Sequence, residues 1–223
     1  PPRCTATGRG DLIDQEPAGA DWIVADELGI EPIDDEVGDL VQGPLTSAIS
    51  DPEGLANGKP EAFDGLIEGL VMSGLAMQKY RISSRPASGA GHQFSHLWEM
   101  EHVGMDQDPP LTHGFKVGLG TISVLALWER TLNHDFSTLD VDAAVAKWPS
   151  AEEMEAKVRA NFTGDMLEPA VRQTMDKYLD ADALRERLEL VKSTWPPVRE
   201  RCRSQVMPSA KVEEMIKPVG GMS

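Results

Sequence analysis

The chain is 223 residues long, 40% apolar and only 5% aromatic, with a formal net charge of −16. That length fits one large domain or two small ones, and the acidic balance leaves no basic stripe for a phosphate backbone, which excludes nucleic acid as a partner. No apolar run reaches the roughly 18 residues of a membrane span, and the amino end carries no apolar signal segment, so no membrane partner is expected.

Ala, Leu, Glu, Asp and Met are plentiful and aromatics scarce, which favours helix over sheet. Residues 11–28 read as a helix interrupted at Pro17-Ala-Gly19 and restarted at Ala20, ending before Gly29. Residues 51–58 read as a loop. Residues 60–80 form an amphipathic helix in which Phe63, Leu66, Ile67, Leu70, Val71 and Leu75 recur at helical steps. Its Gly65, Gly69 and Gly74 are expected to admit a close neighbour. Residues 88–102 form a helix capped by Ser88 after the extended Arg85-Pro86 entry. A loop at 106–110 leads to a long apolar helix over 114–132. Later helices are expected over 141–148, 151–161, 169–177, 181–192 or beyond, and 208–217, with Pro196-Pro197 as a break. There is no alternating strand pattern, so the expected fold class is all-α. Cys4 and Cys202, far apart and outside any Cys-x-x-Cys, read as reduced thiols of a cytoplasmic protein. Asn161-Phe-Thr163 matches a glycosylation acceptor, read as chance.

The chemistry concentrates in the histidines. Four of the five (His92, His96, His102 and His113) fall in one window. Neutral imidazole is a common metal ligand, and a catalytic divalent metal takes about three protein ligands and an open position. His92 and His96 stand at i and i+4 on one helical face. Either both bind one metal, or one binds while the other meets a substrate. The run His92-Gln-Phe-Ser-His96 lacks the glutamate of a zinc-protease helix. His113, at the opening of a long helix, either aims into a cleft or caps that helix. His102 beside Glu101 reads as solvated, and His134 as a loop or helix-end residue. The best anionic candidate is Asp11 in Gly8-Arg-Gly10-Asp11, as ligand or as helix cap; spacing does not choose. Gly118-Leu-Gly120 follows no strand, so it reads as helix packing beside the site and not as a nucleotide loop.

The run from Arg85 to Met100, Arg-Pro-Ala-Ser-Gly-Ala-Gly-His-Gln-Phe-Ser-His-Leu-Trp-Glu-Met, resembles the signature of glycerol-1-phosphate dehydrogenases. These are members of the iron-containing alcohol dehydrogenase, glycerol dehydrogenase and dehydroquinate synthase superfamily. Thr112-His-Gly-Phe-Lys-Val-Gly118 looks like its second histidine motif. Gly8-Arg-Gly-Asp11-Leu-Ile with Asp21-Trp22 looks like the opening of its helical domain, and Asp64 to Met77 is similar to a preceding family helix. The match is specific over about residues 1–135. Trp98-Glu-Met100 and Ser84-Arg-Pro86 favour the phosphate branch.

The resemblance implies a multi-helix metal- and substrate-binding domain of the dehydroquinate synthase-like fold over 1–223. It implies that the Rossmann-like NAD(P)-binding domain is absent from a fragment whose carboxy terminus ends early. It further implies Asp11, His92 and His113 as ligands of one divalent metal (Zn, Fe or Ni). His96 would be the catalytic and substrate-contacting histidine, and Asp11 would also meet the substrate. The implied reaction interconverts glycerol 1-phosphate, a small phosphorylated polyol, and dihydroxyacetone phosphate with NAD(P), in a cytoplasmic enzyme that can be a homo-oligomer. Three positions depart from the pattern: Gly91 and Phe115 where the family usually has Glu, and Gln15 where it usually has Lys. Their loss removes expected partners of the ligands. A glycerol or other alcohol dehydrogenase of the same superfamily, and a non-catalytic helical metal-binding module, are the competing readings.

Overall fold

The computed structural model describes residues 2–219, with side chains over 4–218. The expected early end at 220–223 lies outside the described residues. Among the described residues there are helices and no strand, as the composition predicts. The chain divides into two compact units, Pro1–His134 with Pro197–Ser223, and Asp135–Pro196.

The first unit contains α1 (Pro2–Ile13), α2 (Gln15–Glu27), α3 (Asp35–Ile49), α4 (Pro52–Ala56), α5 (Pro60–Lys79), α6 (Ala90–Met100) and α7 (His113–Leu132). It also takes the end of α11 (Ala181–Gln205) and all of α12 (Ser209–Ile216). Its main core joins Leu12 and Ile13 of α1, Leu45 of α3, Leu66 of α5, Leu125 of α7, and Val212 and Ile216 of α12. Each such side chain contributes about 1.5–3 kcal/mol by leaving water. A second cluster packs Trp22 of α2 against Val37 and Val41 of α3 and Tyr80, with the Trp22 and Tyr80 rings edge-on at 5.0 Å.

Arg9 ties this core together. It is fully buried; its Nη2 donates to the Ile49 carbonyl at 2.7 Å and its Nε to the Met215 carbonyl at 3.1 Å. It thereby caps the carbonyl ends of α3 and α12 with a positive charge, where the helix dipoles favour one. Burial lowers its pKa to about 10, so it stays cationic at neutral pH.

The backbones of α1, α6 and α7 approach so closely that side chains are excluded from the crossings. A Cβ on Gly10 would overlap the Gly114 carbonyl oxygen, and one on Gly114 would overlap the Thr7 carbonyl oxygen. A Cβ on Gly120 would lie 2.5 Å from the Gly91 carbonyl oxygen. The packing role read for Gly120 is therefore what the structure has.

Several sequence expectations need correction. The first break falls at Asp14, not Pro17, because Pro17 sits in the first turn of α2, where no N–H is needed. The segment 51–58 holds α4, opened by Pro52 and by Asp51 accepting from the Gly54 N–H at 2.6 Å. Helix α3 was missed, since Gly38, Gly43 and Pro44 blur its pattern. In α5 the buried stripe is Leu66, Gly69, Ser73 and Ala76. Ile67, Val71 and Leu75 instead stay about half exposed (56%, 54% and 46%), and Gly74 faces open space. Gly65 and Gly69 do admit neighbours: their Cβ atoms would meet Ala48 and Leu12. Finally, α11 runs through Pro196-Pro197, where buried Trp195 and Val198 on either side offset the lost hydrogen bonds.

The second unit holds α8 (Val141–Ala146), α9 (Ala151–Asn161), α10 (Leu167–Met175) and the first part of α11. Ser150 and Glu153 form a reciprocal capping box on α9. The Trp148 and Tyr178 rings stack, with their polar ends donating to the Leu179 and Pro149 carbonyls at 2.8 and 2.9 Å.

Two outcomes follow for stability. Gly114→Ala puts a carbon against fixed backbone, so urea unfolding should show a loss of about 1–3 kcal/mol or more. Glu16, buried on α2, has its pKa raised to about 7 by burial, against the pull of the Met207 N–H and of Lys211. A carboxyl raised in the folded state binds more protons folded than unfolded between its two pKa values. Its contribution is complete below the unfolded value near 4.5 and is lost as pH rises through about 7. Thermal midpoints of wild type should therefore fall relative to Glu16→Gln across that window.

Candidate metal centre

Three helix ends meet at the glycine crossings. Asp11 lies in the last turn of α1, not at a helix entrance, so it is no cap. His113 is the first residue of α7, whose entry is fixed by Thr112 accepting from the Phe115 N–H at 3.3 Å. Thr7 donates to Thr112 at 2.6 Å, tying that entry to α1. His92 sits in the first turn of α6. The cap of α6 is not Ser88. Gly89 occupies that position without a side chain, and Asp21 reaches over from α2 to accept from the Ala90 N–H at 2.7 Å. The other Asp21 oxygen accepts from the Trp128 indole at 3.1 Å. Burial raises the Asp21 pKa, with these donors opposing.

The result is a cluster in which Asp11, His92 and His113 each offer one ligand atom, all within 4.8 Å of one another. The His92 and His113 ring centroids are 5.6 Å apart. Asp11 Oδ1 stands 3.5 Å from His113 Nε2, near the separation of about 3.4 Å expected for two ligands on one tetrahedral ion with bonds near 2.1 Å. That same Asp11 oxygen is buried without a hydrogen-bond partner. Such an orphan acceptor between two imidazoles is what a cation would satisfy, so the residues present fit a metal.

Each histidine is held from behind by a carboxylate. Asp14 Oδ2 lies 2.6 Å from His92 Nδ1, and Glu99 Oε1 lies 2.9 Å from His113 Nδ1. With Nδ1 engaged, each ring has Nε2 left for the shared space. The second Asp14 oxygen accepts from the Thr121 hydroxyl at 2.9 Å, and Asp14 is fully buried.

His96 borders the cluster but is not one of the three. Its ring is 6.1 Å from that of His92 and 5.8 Å from that of His113, and its side chain is half exposed. His102 is exposed in a left-handed turn (φ 59°), away from this chemistry.

The electrostatics follow from burial and crowding. Burial raises the Asp11 pKa, with the two histidines pulling it back and Asp14 and Glu99 pushing it further up. Burial pushes His92 down, but the hydrogen bond and charge of Asp14, with Asp11 and Glu99, lift it above its ordinary value. His96 is lowered by burial and by its two histidine neighbours.

Sequence reasoning missed Asp14, Glu99, Asp21 and Thr121. Asp14 stands one turn after Asp11, and Glu99 one turn after His96, so helical spacing alone could have flagged both. It also expected the departures at Gly91 and Phe115 to strip the site of carboxylate partners, whereas Asp14 and Glu99 stand behind the histidines. Gln15 is buried with its Oε1 unpartnered. Of the two cysteines, Cys4 is exposed and Cys202 buried, both free, with burial pushing the Cys202 thiol up to about 12. No helix among the described residues is long and apolar enough to cross a membrane.

No protein-family model matches the chain. Among curated proteins, it is 34% identical over 138 residues to a glycerol-1-phosphate dehydrogenase (NAD(P)+) of Halalkalibacterium halodurans, covering 62% of this chain and 34% of that protein. The enzyme of the same name from Archaeoglobus fulgidus is 30% identical over 198 residues, 87% of this chain and 52% of its own length. That of Geobacillus thermodenitrificans is 27% identical over 206 residues, 92% of this chain and 44% of its own. The chain thus spans about a third to a half of the length of these relatives.

The space at position 91 gives a direct check of the site's packing. A Cβ on Gly91 would overlap Asp14 Oδ1 and lie 3.2 Å from the Thr121 N. Gly91→Ala should cost about 1–3 kcal/mol in chemical denaturation. Most of that cost should vanish in an Asp14→Ala background, because the two changes share one volume.

Proposed function

We propose, from its similarity to glycerol-1-phosphate dehydrogenases, that this chain is the metal- and substrate-binding part of an NAD(P)-dependent polyol-phosphate dehydrogenase. One observation carries the reading: an orphan carboxylate oxygen on Asp11 converges with His92 and His113. A donor set of one carboxylate oxygen and two imidazole nitrogens suits Zn, Fe or Ni and leaves positions for substrate oxygens. Asp11, His92 and His113 would hold the ion, which when bound supplies Lewis acidity toward an alcohol or carbonyl oxygen.

The chain's own residues do the rest. Asp14 and Glu99 fix the two ligand rings. Half-exposed His96, one turn beyond His92 and beside the cluster, would hydrogen-bond a substrate hydroxyl and hold its proton. Asp11 would serve as ligand with one oxygen and accept from a substrate hydroxyl with the other. The substrate is glycerol 1-phosphate or dihydroxyacetone phosphate. The nicotinamide cofactor is bound mainly by the portion of the relatives' length that this chain does not span. Two free cysteines support a cytoplasmic setting.

Metal titration followed by elemental analysis tests the reading. Wild type should take up one equivalent of a divalent transition metal. His92→Ala should weaken that binding by more than about a hundredfold, beyond what loss of a ligand's partner does, while His96→Ala should bind nearly normally. In a chain completed with a cofactor-binding domain, His96→Ala should lower turnover on glycerol 1-phosphate. Equal metal loss in His92→Ala and His96→Ala would exchange this site for one in which both histidines are ligands. Steady NAD(P) reduction by the chain alone would contradict the division of labour.

A further inference from the structure

We infer that Asp14 is a positioning residue that sets the affinity of the metal site by holding the His92 ring, and that position 91 is kept free of a side chain to make room for it. This rests on the metal reading above and deepens it.

Neutral imidazole carries one N–H, and whichever nitrogen carries it cannot ligate a cation. A carboxylate is an acceptor, so the 2.6 Å contact between Asp14 and His92 Nδ1 favours the tautomer with its proton on Nδ1, which leaves the Nε2 lone pair for the space shared with Asp11 and His113. Asp14 cannot drift, because it is fully buried and its other oxygen is pinned by Thr121, whose hydroxyl oxygen also lies 2.9 Å from the Val117 carbonyl. Asp14 stands between α1 and α2, one turn from the ligand Asp11, so the same helix end supplies a ligand and the support of a second ligand.

The carboxylate occupies the very volume that a side chain on Gly91 would fill. A Cβ on residue 91 would fall on Asp14 Oδ1, so a short carboxylate there would start from the volume that the Asp14 carboxylate fills beside the His92 ring. The structure uses one occupant of that volume, delivered from the turn between α1 and α2. The two positions are therefore alternatives: a carboxylate from either side can serve, and both together cannot fit.

The experiment measures zinc affinity of the whole chain by calorimetric competition, with circular dichroism to verify folding. Asp14→Asn and Asp14→Ala should weaken zinc binding, the alanine variant by about 10–100-fold. Nitrogen-15 NMR of metal-free wild type at mildly alkaline pH should show His92 protonated on Nδ1, a preference lost in Asp14→Ala. Gly91→Asp added to Asp14→Ala should recover most of the affinity, whereas Gly91→Asp alone should lose it. Recovery of this kind is not produced by a purely structural Asp14.

Zinc binding in Asp14→Ala within about tenfold of a wild type that binds through Asp11 and His92 overturns this inference and leaves the metal reading standing. So does a folded double variant that recovers nothing. A wild-type chain that takes up no metal overturns the metal reading and this inference with it.

Discussion

The site depends on helix backbones crossing with no side chains between them. Gly10 against Gly114 brings the end of α1 to the start of α7, and Gly91 against Gly120 brings α6 onto the same helix. Helix axes normally stay 8–10 Å apart because side chains interdigitate. Glycine at the contact removes that spacer. The carboxylate of Asp11 and the ring of His113 can then come within metal-bridging distance although they sit on different helices. Any residue larger than glycine would separate the helices and, with them, the cluster.

That closeness has an electrostatic consequence. Asp14 and Glu99 raise the charging cost of Asp11, and Asp14 raises that of Asp21. Three of the four carboxylates have a polar partner. Asp21 accepts from the Ala90 N–H and the Trp128 indole, Asp14 accepts from Thr121 and lies against His92, and Glu99 lies against His113. Asp11 Oδ1 alone is buried without a donor. An excess of negative charge with one orphan oxygen at its centre is a cation site's signature.

Much of this was legible in the sequence where the signal was local. The long helix after His113, the helix bearing His92 and His96, and the ending of α2 before Gly29 follow from periodicity and caps. What was not legible was non-local. Ser88 looks like the cap of α6, but the donor is answered by Asp21, 69 residues earlier. Gly91 looks like a lost carboxylate, but the vacancy is filled by Asp14 from the turn between α1 and α2. Asp11 looks like a cap because Gly8 and Gly10 precede it, yet both glycines lie inside α1, Gly10 at the crossing with α7 and Gly8 against Leu66 and Leu70 of α5. Helix α3 was hidden because its glycines and proline blur the helical pattern, while its core contacts Val37, Val41 and Leu45 hold it in place.

The central claim is that these residues share one ion. Crystals grown with zinc, measured at the zinc absorption edge, address it directly. The account predicts a single strong anomalous peak about 2.0–2.2 Å from an Asp11 oxygen and from the Nε2 atoms of His92 and His113. No peak in that space, or a peak held by other side chains while Asp11 Oδ1 stays without a partner, would contradict it.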